Sequence, residues 1–168
     1  YARAFRVAPE WLLFGSSDGE IEHVSPTEAP PAGKHLVTVF DIQASAGFGA
    51  VIDAEEPVYS LAFPPQYLAR LTRSSPQNLA IISVKGDSME PTLLDDDIVL
   101  LDTSKRDLSY DGLFVLRYGD ALHVKRVTRN ARPDHVTVLS DNRVYPPVDY
   151  RLDEIEPVGK VLWYGRKV

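Results

Sequence analysis

A chain of 168 residues suffices for one main hydrophobic core with a short annex, and ordinary apolar and charged fractions of 44% and 25% exclude wholesale disorder and fibrous classes. A net charge of −6 has the wrong sign for a phosphate-binding surface, so any DNA contact is expected to come from residues outside this sequence. The lack of cysteine excludes disulfides and thiolate metal sites, and the four histidines have no ligand spacing; no metal or cofactor is expected.

The chain opens on Tyr1 rather than methionine, which leads to the expectation of an upstream portion removed or not represented. Residues 1–15 carry Phe5, Val7, Trp11, Leu12 and Phe14, with Pro9 suited to a helix's first turn and Gly15 to its C-terminal end, the signature of a helical unit's tail. Trp11 and Phe14 fit a helix packing its own small core better than a partner-binding stripe. Residues 16–34, with Pro26, Pro30 and Pro31 and few large apolar groups, form a linker. His35 to Ile42 is expected as a strand, followed by a small-residue segment, 44–49, that is exposed and flexible. Pro64 to Arg73 is the one good helix candidate, with Tyr67, Leu68 and Leu71 at helical spacing. Further strands are expected at Leu79–Val84, Ile98–Asp102, Leu113–Tyr118, Ala121–Thr128, His135–Leu139 and Val158–Tyr164, with a hairpin at Tyr118-Gly119-Asp120-Ala121. So many short strands imply a mainly β body over residues 35–168. The sequence has no apolar run of about 18 residues and no basic-then-apolar leader. A soluble, cytoplasmic protein is therefore expected.

The richest chemistry sits in Lys85-Gly86-Asp87-Ser88-Met89-Glu90-Pro91-Thr92, directly after an apolar strand. A serine at a Gly-preceded turn can hold its hydroxyl clear of the sheet, yet it is a poor nucleophile until a base takes its proton. Lys125, in His123-Val124-Lys125-Arg126-Val127, is a base when neutral, a form that burial among apolar groups favours. Taken singly, Ser88 reads as a turn residue, Lys125 as surface charge and Ala46-Gly47 as loop composition; the combination reverses those readings. Asp95, Asp96 and Asp97 are expected to be a solvated turn rather than a metal site. His123 reads as a sheet residue, with a hydrogen-bonding role left open.

GDSMEPTLLDDDIVLLD followed by DGLFVLRYGDALHVKRV closely resembles the catalytic domain of LexA and the lambdoid phage repressors, and VLSDNRVYPP and GKVLWYGRKV extend the resemblance to roughly Leu36 to Val168. The resemblance implies a Ser-Lys dyad of Ser88 and Lys125 and an oxyanion hole from the backbone amides of Asp87 and Ser88. An acidic residue at position 87 departs from the apolar or neutral residues that some members of the family carry at that place, and its carboxylate raises a neighbouring lysine's pKa, slowing the reaction. The same resemblance implies self-cleavage between Ala46 and Gly47, homodimers, a RecA filament as co-protease, and an upstream helix-turn-helix that binds operator DNA. VAPEWLLFG, ending at Gly15, is similar to the close of that DNA-binding unit. Two alternatives remain: a dimerisation body that does not cleave, and a signal peptidase-like protease, disfavoured by the missing anchor and the internal Ala-Gly bond.

Overall fold

The computed structural model describes residues 33–40, 57–118 and 121–166. The helical tail at 1–15, most of the linker, the 44–49 segment and the two central hairpin residues lie outside the described residues. Nine strands form a sheet ordered β2-β1-β3-β4-β9-β5-β6-β7-β8: β1 His35–Phe40, β2 Pro57–Phe63, β3 Leu79–Ser83, β4 Ile98–Asp102, β5 Gly112–Tyr118, β6 Ala121–Arg129, β7 His135–Leu139, β8 Val148–Arg151 and β9 Glu156–Gly165. One helix, α1 (Pro65–Leu71), and a 3-10 turn (Pro76–Asn78) join β2 to β3. The mainly β body expected from the sequence is therefore observed.

Strands β3 and β4 are almost wholly apolar because both of their faces are covered. In β3, Leu79 and Ile81 join a cluster with Val37, Val39, Phe63, Leu68 and Leu100, while Ala80 and Ile82 join another with Met89, Leu93, Val99, Val115 and Val124. This is the two-residue period of a strand written into packing. Pro65 opens α1 at a position where a missing N–H costs nothing, and Leu68 is the helix residue buried against the first cluster. Phe63 meets Trp163 edge-to-face with ring centroids 6.0 Å apart, fixing the end of β9 beneath this helix. A third cluster, including Phe114, Leu116, Val127, Val136 and Val138, fills the β5-β6-β7 end.

β1 runs antiparallel to β2 through paired residues from His35↔Phe63 to Phe40↔Pro57, and parallel to β3 through Val39↔Ile81 and Phe40↔Ile82. Consequently β1 and β3 leave the sheet at the same end. β5 and β6 pair up to Tyr118↔Ala121, as the hairpin chemistry requires. β9 lies centrally between β4 and β5, and a side chain at Gly159 would sit 2.7 Å from the Asp102 carbonyl oxygen, so that position takes glycine to let the strands approach.

Candidate active site

Ser88 lies in the turn that follows β3. Gly86 enters that turn at φ +81, a conformation only glycine adopts without strain. The turn is tied at several points: the Gly86 N–H donates to Asp95 Oδ1 at 2.8 Å, Val84 N–H to the Asp97 carbonyl at 2.7 Å and Asp96 N–H to the Val84 carbonyl at 2.9 Å. The carboxylates of Asp95, Asp96 and Asp97 diverge. Asp96 pairs with Lys85, while Asp97, only 2% exposed, accepts from Arg166 at 2.7 Å and from the Leu94 N–H. Asp97 is thus a buried structural anion rather than part of a solvated turn, because a C-terminal arginine reaches it.

Lys125 is 7% exposed, on β6 opposite Phe114 of β5. Burial pushes its amine below the ordinary lysine value, and the Asp87 charge opposes that shift. Among the described residues its Nζ donates to Ser140 Oγ at 2.9 Å rather than to Ser88. Ser140 was not named as a site residue in the sequence; it lies in VLSDNRVYPP, a stretch that entered only as part of the resemblance and otherwise has ordinary turn composition.

The loop that begins at Ser140 bridges lysine and serine. Its Asn142 N–H donates to the Ser88 carbonyl at 3.1 Å, Asn142 Nδ2 to the Asp87 carbonyl at 3.1 Å, and Tyr145 Oη to Asp87 Oδ1 at 2.7 Å. Arg126 fixes the same loop through two hydrogen bonds to Asp141, at 2.8 and 2.7 Å. The carbonyls of Asp87 and Ser88 are therefore engaged, whereas among the described residues their N–H groups and Ser88 Oγ meet no partner. A cavity of about 100 Å³ beside Ser88 is lined by Ser83, Val84, Lys85, Met89, Leu122, His123 and Val124. His123 stacks on Tyr118 at 4.2 Å, and burial followed by the neighbouring Lys125 charge lowers its pKa. Ala46 and Gly47 lie outside the described residues.

Residues 36–162 match the Peptidase S24-like family. The chain belongs to that family. This peptidase S24-like chain is 35% identical to the 26 kDa repressor protein of Escherichia phage HK022, over 66% of the chain and 48% of that repressor. It is 28% identical to the repressor protein CI of Enterobacteria phage phi80, over 74% of the chain and 53% of that protein. An uncharacterised HTH-type transcriptional regulator of Haemophilus influenzae is 26% identical over 96% of the chain and 74% of its own length. The chain thus spans about half the length of the two phage repressors. The S24-like assignment bears out the resemblance to LexA and the lambdoid repressors. Among the described residues no helix is long and apolar enough to cross a membrane.

Proposed function

We propose that this chain is the self-cleaving part of a phage-type transcriptional repressor, in which Ser88 attacks the Ala46 carbonyl and Lys125 is the general base. The observation that carries this reading is the buried Lys125 amine, depressed in pKa and bridged through the Ser140–Tyr145 loop to the turn that bears Ser88. A neutral amine accepts the Ser88 proton as the hydroxyl adds to the Ala46 carbonyl. The N–H groups of Asp87 and Ser88, without partners among the described residues, suit the developing oxyanion. Collapse passes the proton from Lys125 to the Gly47 nitrogen, leaving Ala46 as an ester on Ser88, and water then hydrolyses the ester. Ser140 orients the amine throughout.

Topology supports attack on the chain's own bond. β1 and β3 run parallel, so the segment after Phe40 and the turn after Ser83 start from the same end of the sheet. Phe40 itself packs on the cluster that contains Val84, Met89 and Val124. Ala46 is then within a tether of ~20 Å from Phe40 at full extension. The small cavity beside Ser88 suits a small side chain such as that of Ala46.

In this reading an upstream helix-turn-helix binds operator DNA, the β body forms homodimers, and a RecA filament on single-stranded DNA promotes the cut. The test is to incubate the purified chain from neutral to strongly alkaline pH, with and without activated RecA, and weigh the products. Cleavage to residues 1–46 and 47–168 should accelerate about tenfold per pH unit until Lys125 has lost its proton. Ser88→Ala and Lys125→Ala should each abolish it. Chains that stay intact in every condition overturn self-cleavage and favour a dimerisation body that does not cut.

A further inference from the structure

The loop between β7 and β8 carries a tyrosine whose two ends meet two members of the site. The Tyr145 hydroxyl donates to Asp87 Oδ1 at 2.7 Å, and its ring centroid lies 5.8 Å from Lys125 Nζ. Both Asp87 and Tyr145 are exposed, Tyr145 by 41%, so neither is needed to fill the core. An exposed aspartate left to itself turns into water, where screening weakens its action on a neighbour. A phenol hydrogen bond holds it in one place.

We infer that Tyr145 is a positioning residue for the Ser88–Lys125 site: it keeps the Asp87 carboxylate beside the amine and, through that carboxylate, sets the pH range in which Lys125 acts as base. This rests on the dyad proposed above. The other groups around the amine leave this role to Asp87. From β5, Phe114 faces Lys125 and carries no charge. On β6 the neighbour is His123, whose protonation opposes a charged lysine. From the loop, Ser140 is neutral and the Asp141 carboxylate is taken by Arg126. The anion that acts on Lys125 is Asp87, and it favours the charged amine. The pair therefore brakes the reaction at neutral pH, and Tyr145 keeps the brake applied.

The test uses the full chain carrying Ser88→Ala, so that it stays intact, with carbon-13 in its lysine side chains. The Lys125 resonance is identified by its loss in Lys125→Met, and its titration is followed by NMR. Asp87→Asn should move that titration about half a unit to one unit toward lower pH. Tyr145→Phe, which keeps the ring, should move it the same way by less, and should add nothing once Asp87 is Asn. With Ser88 restored, the self-cleavage profile should move alike, making Asp87→Asn about three- to tenfold faster at neutral pH. A Lys125 titration unmoved by either variant overturns the inference. So does a Tyr145→Phe displacement that persists in Asp87→Asn, or a rate lowered equally at every pH with no displacement. Because the titration is read in a chain unable to cut, a wild-type chain that never cleaves sinks the dyad alone, and the titration still decides the role of Tyr145.

Discussion

Burial strips water from the Lys125 amine, and this has a consequence for stability separate from any reaction. Its folded-state pKa lies below the ordinary value, with burial the larger cause, so the unfolded chain holds the proton more tightly. Stability lost to the buried charge is missing below the folded pKa, returns as pH rises through it, and is fully recovered above the unfolded value near 10.5. In a Ser88→Ala background, Lys125→Met should be more stable to urea at neutral pH, and the gap should narrow as the medium becomes alkaline. A gap that stays constant up to the unfolded lysine value would show that the native amine is not depressed. Ser88 and Lys125 were named in the sequence because the two motifs that carry them resemble the family's. Ser140, Asn142 and Tyr145 were not, although VLSDNRVYPP contains all three, since the contacts that bring this loop to the serine turn span up to 58 positions, as for Asp87–Tyr145.

At the scale of elements, the serine turn depends on the far end of the chain. Arg166, just past β9, donates to Asp97 through Nε and Nη2 and to the Thr92 carbonyl through Nη2, closing the segment between β3 and β4. Asp97→Ala leaves Arg166 and the Leu94 N–H without that acceptor and should cost about 1–3 kcal/mol in urea unfolding. A loss below a few tenths would mean that water replaces the carboxylate without penalty. Alternating or continuous apolar runs made β3 through β7 readable to within a residue or so at each end, and β9 to within two. β2 and β8 fall outside the strands expected from sequence. β2 does alternate, with Tyr59, Leu61 and Phe63 on the first cluster, behind an opening proline that follows two glutamates. β8, by contrast, has four residues, mostly exposed, so pairing at the sheet edge defines it rather than an apolar pattern. Pairing of this kind depends on neighbours distant in sequence, which no local window contains.

For the whole molecule, the position of β1 decides what a broken Ala46-Gly47 bond accomplishes. β1 belongs to the piece upstream of that bond, yet it is an interior strand, paired with β2 on one side and β3 on the other. Val37 and Val39 are each 1% exposed in the cluster with Phe63 and Leu68. Burying two valines alone holds the strand with about 3–6 kcal/mol before its hydrogen bonds are counted. A nicked protein should therefore migrate as one particle on a sizing column and come apart only in denaturant, and Val39→Ala should hasten the parting. Separate elution of both pieces straight after the cut would disprove this. In the proposed reading, scission would serve as a permit rather than the release itself: the upstream piece would be set free only when β1 is unzipped from the sheet, leaving a β2 without its inner neighbour and a bare flank on β3, open to proteases or to a replacement strand.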